Sequence, residues 1–273
     1  MAGILLPTVF GALAILLRGF TVMNPDSAFL LKHGLEKRGL ELTGILLGAI
    51  GMLIVGWLDD KHELPPRAKF VGQVIIAGIV ASCGVRITLF VPNILFSYAI
   101  TILWILTVIN AFNFMDNMNG LCAGLGAIAS WYFGMIAAAQ GQYLVALIAF
   151  LTFGALLGFL PYNFPQAKAF LGDSGSHLVG YLLAVLAVLP HFYTAKHPRR
   201  WAVLIPLFVL AVPLLDLVWV VLLRWRAGKP FYLGDTNHLS HRLVRGGMTQ
   251  TRAVLVIWIA AALLGGVAFL FEF

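Results

Sequence analysis

The chain has 273 residues, 61% of them hydrophobic and only 11% charged, with a formal net charge of +7. A soluble globular domain carries about 25% charged residues, so this balance excludes one large soluble core and indicates a polytopic membrane protein. Nothing in the chain has the pattern of a nucleic-acid-binding module, and the excess positive charge suits anionic headgroups or phosphorylated ligands.

Apolar runs fall at about 3–20, 41–58, 69–85, 93–110, 121–139, 143–160, 176–190, 201–223 and 251–271. At about 20 residues per crossing they predict an all-α protein of about nine transmembrane helices. No long hydrophilic linker divides residues 1–273, so they read as a single integral-membrane domain. Met1 to Phe20 lacks a basic leading region and a small-residue cleavage site, which predicts a retained span rather than a signal peptide. Cys83 and Cys122 lie in apolar surroundings and read as packing residues.

The polar segments bearing Asp59-Asp60, Asn110–Asn119, Asp173 and His238–His241 follow runs two, four, six and eight. Alternation of crossings therefore puts all four on one side of the membrane. That side holds ten Lys or Arg residues against eight on the other, which favours a cytoplasmic face.

Each segment has a chemistry of its own. In GWLDDKHELPPRAKF, two adjacent carboxylates end a span with Lys69 nearby, and adjacent acids need a cation or water to relieve their repulsion. Hard oxygen ligands of this kind suit Mg²⁺. In NAFNFMDNMNG, Asn110, Asn113 and Asp116 recur every three residues along one flank of a helix, enough to reach one bound group. A helix cap would need only one of them. In FLGDSGS, glycines surround Asp173 where a helix begins, so backbone N–H groups there face an anion. In DTNHLSHRL, His238, His241 and Arg242 supply cationic groups for diphosphate oxygens. Taken singly, each segment also reads as an ordinary solvated helix end. Together, carboxylates for a divalent cation beside cationic phosphate ligands suggest phosphoryl transfer from a nucleoside diphosphate.

These four motifs, in this order and at these separations, resemble the polyprenyl-phosphate N-acetylhexosamine-1-phosphate transferases. That family starts the lipid intermediates of peptidoglycan, O-antigen and teichoic acid. The late loop is more similar to the N-acetylglucosamine-1-phosphate branch, with its His-x-His-His pattern, than to the muramoyl-pentapeptide branch; Ser240 stands at the middle His. Asn119 stands where the family usually has a carboxylate. The family also has a further span and an arginine-bearing loop ahead of what corresponds to Met1.

The resemblance implies transfer of a sugar-1-phosphate from a UDP-sugar to undecaprenyl phosphate, with release of UMP, at the cytoplasmic face of the cell membrane. It implies Asp173 and Asp60 as Mg²⁺ ligands, and Asp59, Asp60, Asp116, His238 and His241 as catalytic residues. It further implies Lys69 toward the lipid phosphate, Phe170 stacked on uracil, and Asn110, Asn113, Asn119 and Arg242 as substrate contacts. The partners expected are the UDP-sugar, undecaprenyl phosphate and membrane lipids, with no nucleic acid; a homodimer is left open. A transporter or flippase of phosphorylated lipid is the competing class, but it would place its polar groups near the bilayer midplane. Asp216, inside the eighth run, is given no role.

Overall fold

The computed structural model describes residues 38–89, 91–190, 200–230 and 236–272, and every regular element among them is helical. In chain order these are α1 (Gly39–His62), α2 (Pro66–Ser82), α3 (Ile94–Met115), α4 (Leu121–Ala139), α5 (Tyr143–Asn163) and α6 (Gly172–Leu186). A short 3-10 turn (Arg200–Leu204) then leads into α7 (Ile205–Val209), α8 (Ala211–Arg226), α9 (Leu239–Arg245) and α10 (Gln250–Glu272).

Helices α1, α3, α4, α5 and α10 are each long and apolar enough to cross a bilayer, and the bent pair of α7 and α8 makes a sixth crossing if it counts as one span. The protein is thus an all-α, multi-pass membrane protein, but nine spans are not reached among the described residues. The expected run 3–20 lies outside them. Runs 69–85 and 176–190 form α2 and α6, of 17 and 15 residues. At 1.5 Å per residue α6 is about 22 Å long, short of a hydrocarbon core of about 30 Å. Run 201–223 bends by 71° at Leu210. Pro213 has no N–H for the carbonyl of Val209, so one hydrogen bond of a continuous helix is missing where the break occurs.

Helix α6 is the axis of the fold. Every residue from Gly175 to Leu186 except Leu182 is buried, and α6 packs chiefly between α1 and α3. Membrane helices gain no hydrophobic driving force from one another, so close backbone approach must supply the packing energy. The sequence provides it with glycine. A Cβ at Gly56 of α1 would lie 2.4 Å from the Ser174 Cα, and one at Gly180 of α6 would lie 2.7 Å from the Ile109 Cα of α3. This tight wedge brings the end of α1, the end of α3 and the start of α6 to one place.

Candidate active site

Helix α1 ends because Glu63 adopts a left-handed conformation and Pro65-Pro66 follow; Pro66 then opens α2 at a position where its missing N–H costs nothing. Asp59 ties this turn together. One carboxylate oxygen accepts the Leu64 N–H at 3.0 Å, and the other meets the Lys69 ammonium at 2.5 Å, one turn into α2. Asp59 is 8% exposed, so its charge needs this partner. The same ammonium lies 3.3 Å from a carboxylate oxygen of Asp173. Lys69 therefore joins the polar segments that follow the second and sixth predicted runs, reaching Asp173 across 104 positions of sequence.

Asp60 points the other way, onto the start of α6. One oxygen accepts the Asp173 N–H at 2.7 Å; the other accepts the Ser174 N–H at 3.1 Å and the Ser174 hydroxyl at 2.5 Å. The N–H groups expected to face an anion do so, but within the protein that anion is a carboxylate from α1. Gly172 makes the contact feasible: its φ is +63°, and a Cβ there would sit 2.9 Å from an Asp60 oxygen.

Helix α3 supplies the third side. Asn113 donates to Asp173 at 2.5 Å and to the Ser176 hydroxyl at 3.0 Å, aiming the Asp173 carboxylate. Asp116 closes the helix just beyond the span. Burial pushes its carboxyl up to about 7, with repulsion from Asp173 and Asp60 adding to the shift. No hydrogen-bond partner for that carboxylate stands among the described residues. Asn110, one turn back, does not reach this centre. Its amide donates to Gln73 at 3.0 Å and to the Leu106 carbonyl, and Gln73 in turn contacts His177 at 3.4 Å. Asn110 thus belongs to a buried polar layer beneath the acids.

The late loop docks against the α3–α4 turn. Ser240 donates to the Asn117 side chain at 2.7 Å, and the His238 ring meets Phe114 edge-on with centroids 5.5 Å apart. His238 Nδ1 lies 2.6 Å from Asp216 of α8, whose second oxygen accepts the Leu239 N–H at 2.6 Å. The His241 ring lies 6.2 Å from that of His238. The Arg242 guanidinium lies over Trp219 at 5.0 Å.

A family model described as glycosyl transferase family 4 matches residues 42–191, more than half of the chain. The chain belongs to glycosyl transferase family 4. The matched stretch contains Asp59, Asp60, Lys69, Asn113, Asp116 and Asp173, so the cluster around Lys69 lies wholly within the family 4 region. The late loop lies beyond it.

Curated relatives support the same assignment. The chain is 33% identical over 226 residues to a probable undecaprenyl-phosphate N-acetylglucosaminyl 1-phosphate transferase of Bacillus subtilis, covering 80% of this chain and 62% of the relative. It is 34% identical over 262 residues to the decaprenyl-phosphate N-acetylglucosaminephosphotransferase of Mycobacterium tuberculosis, covering 84% and 64%. It is 29% identical over 246 residues to the undecaprenyl-phosphate alpha-N-acetylglucosaminyl 1-phosphate transferase of Escherichia coli, covering 85% and 66%. The chain thus spans less than two thirds of the length of the first two of these relatives.

Of the residues singled out from sequence, Asp59, Asp60, Lys69, Asn113 and Asp173 are joined by direct contacts, and Asp116 sits within their electrostatic reach. Phe170 lies on the loop before α6 and is 67% exposed. Asn119 donates to the Pro165 carbonyl at 3.3 Å, pinning the α5–α6 loop. Sequence reasoning gave no role to Gln73, Ser176, Asn117 or Asp216. For Gln73 a signal existed: it lies one helical turn after Lys69, on the same face of an otherwise apolar run.

Proposed function

We propose that the chain transfers N-acetylglucosamine-1-phosphate from its UDP derivative to a polyprenyl phosphate such as undecaprenyl phosphate, releasing UMP at the cytoplasmic face of the cell membrane. One observation carries the reading: Lys69 bridges Asp59 and Asp173 while Asp60 and Asn113 hold the Asp173 segment, so three distant motifs share a single contact network. A transporter reading gains nothing from it, because Asp59, Asp60, Asp116 and Asp173 gather at helix ends.

An acceptor phosphate has a second pKa of about 6, so at neutral pH much of it is already a dianion and needs little help from a base. Its oxygen attacks the β-phosphorus of the donor; the bond from that phosphorus to the oxygen bridging to UMP breaks, and UMP leaves with the electron pair. An ammonium has three N–H donors. Two from Lys69 are taken by Asp59 and Asp173, and the third is left for an acceptor oxygen. His238, His241 and Arg242 would hold the donor diphosphate in this reading, from the loop that docks on the α3–α4 turn through Ser240 and Asn117. Phe170, exposed beside Asp173, offers a ring to the uracil.

Mg²⁺ is the cofactor in this reading. Among the described residues no three His, Cys, Asp or Glu side chains form a ready-made metal shell. That fits Mg²⁺, which is commonly held by one or two carboxylates and completed by substrate phosphates and water. The fit rests on Asp116, a half-buried acid that feels the repulsion of both Asp173 and Asp60. Asp173 and Asp116 would hold the ion, with Asp60 setting the position of Asp173. When bound, the ion supplies a Lewis acid that neutralises charge on the phosphates.

The test is UMP release by the purified full chain in detergent, given UDP-N-acetylglucosamine, undecaprenyl phosphate and Mg²⁺. EDTA should abolish turnover, and Asp173→Ala and Lys69→Met should each lower kcat by at least about a hundredfold. Substrate movement without UMP release, or full turnover by Asp173→Ala, overturns the proposal.

A further inference from the structure

The contact between Asp216 and His238 is not accounted for by any of the motifs. Asp216 has a side chain only 1% exposed, and His238 one 6% exposed. A carboxylate so deeply buried is costly unless its partners compensate it. Both of its oxygens are used, one by the His238 ring and one by the Leu239 N–H, each at 2.6 Å.

If capping α9 were the whole purpose, a Ser, Thr, Asn or Asp at position 238 would accept such an N–H locally. Instead the cap position holds a histidine with extended backbone (φ −60°, ψ 152°) and no side-chain cap of its own. The capping is delegated to an acid 22 residues earlier in the chain. That acid comes within reach because the chain breaks at Leu210, so that α8 begins only five residues before it. The ring is held on three sides: Asp216 at Nδ1, Phe114 edge-on, and the α9 start pinned to Asn117 through Ser240. With Nδ1 engaged, only Nε2 remains to meet a ligand. A carboxylate behind a histidine fixes which ring nitrogen faces forward, as behind many metal-bound and catalytic histidines.

We propose that Asp216 is a positioning residue that orients His238 so that Nε2 meets the diphosphate of a nucleotide-sugar donor. The inference rests on the transferase reading above and adds to it a residue that acts only through His238.

The test uses the full chain in detergent, with UMP release measured while UDP-N-acetylglucosamine is varied at fixed undecaprenyl phosphate and then while the lipid is varied at fixed UDP-N-acetylglucosamine. Asp216→Ala and Asp216→Asn should raise KM for the UDP-sugar about tenfold, the loss of roughly one good hydrogen bond. The change in kcat should stay within threefold, and KM for the lipid should not change. Asp216→Asn preserves side-chain shape and serves if the alanine variant does not fold. In a His238→Ala background, Asp216→Ala should cost less than about twofold more, because the group it positions is gone. Two results overturn the inference: multiplying losses in the double variant, or an unchanged KM in Asp216→Asn. Should the wild-type chain release no UMP, the transfer reading fails by itself. Calorimetric binding of UDP to the same variants then decides this inference, with a tenfold weaker Kd in Asp216→Asn supporting it, and a Kd unchanged in that variant, or no detectable binding by the wild type, rejecting it.

Discussion

Replacing Asp60 separates two roles that the sequence cannot tell apart. The resemblance makes Asp60 a metal ligand; the structure has it accepting two N–H groups and a hydroxyl at the start of α6. Hydrogen bonds to a charged group contribute about 1.5–3 kcal/mol each, but this site is exposed and the freed donors would rehydrate, so about 1 kcal/mol apiece is the better figure. Loss of a negative charge at a helix N-terminus adds about 0.3–1 kcal/mol. Asp60→Ala should therefore cost about 3.5 kcal/mol, or roughly 7 °C in Tm at about 2 °C per kcal/mol for a chain of this size. Asp60→Asn, which retains one acceptor oxygen, should cost about half. The assay is thermal unfolding of the detergent-purified chain in EDTA, with Lys61→Ala as control, since among the described residues Lys61 packs over the Trp57 ring and not onto the start of α6. An Asp60→Ala variant as stable as wild type in EDTA, but less stable once Mg²⁺ is added, would refute the capping argument and return Asp60 to the metal.

Two further outcomes follow from the same geometry. Gly180→Ala should destabilise by about 2 kcal/mol and lower turnover, because its Cβ meets the Ile109 Cα at 2.7 Å, a backbone atom of α3 that cannot step aside without moving Asn113; Gly78→Ala, with nothing within 4 Å, should be neutral or slightly stabilising in the same unfolding scan. Asp116 holds its proton to about pH 7 in the folded chain against an ordinary value of 3.8. The folded state thus binds more protons between those values, so the stability this group contributes is full below pH 3.8 and is lost as pH rises through 7. In EDTA, Asp116→Asn should unfold at the wild-type temperature near pH 4 and above it at pH 8. An equal gap at both pH values would show that Asp116 is ionised throughout.

The membrane class and the main acids were legible because each depends on local composition; the parity of nine crossings was not a sound guide, since runs 69–85 and 176–190 form helices α2 and α6 that are not among the long apolar spans. Asp59, Asp60, Asn113 and Asp173 declare themselves as polar residues at the ends of apolar runs, and the glycines of FLGDSG mark a helix start. What stayed hidden depends on distance. The break at Leu210 turns one expected span into a bent pair, and only that bend brings Asp216 to His238. A hydropathy run shows no difference between a proline that a membrane helix absorbs, such as Pro161 inside α5, and one that stands at a break, such as Pro213 in the first turn of α8. Asn110 misled for a related reason: three-residue spacing puts it on the flank of Asn113, but a turn deeper, where Gln73 rather than the acid cluster meets it.

The pattern of compensation itself points to where chemistry is to be sought. Four carboxylates gather where α1, α3 and α6 meet, and a bilayer interface gives such repulsion little relief. Lys69 answers Asp59 and Asp173. The α6 N-terminus answers Asp60. Asp116 is the acid left over, half-buried and still pushed upward by two neighbours. A structure selected for stability alone would place an Asn or a second lysine there, since removing an uncompensated acid is stabilising. Retaining the acid makes sense if its missing counter-charge arrives from outside, which in the proposed reaction is the divalent cation brought in with the donor phosphates. Stability and function then draw on the same carboxylates in opposite directions, with the compensated acids building the site and the uncompensated one using it.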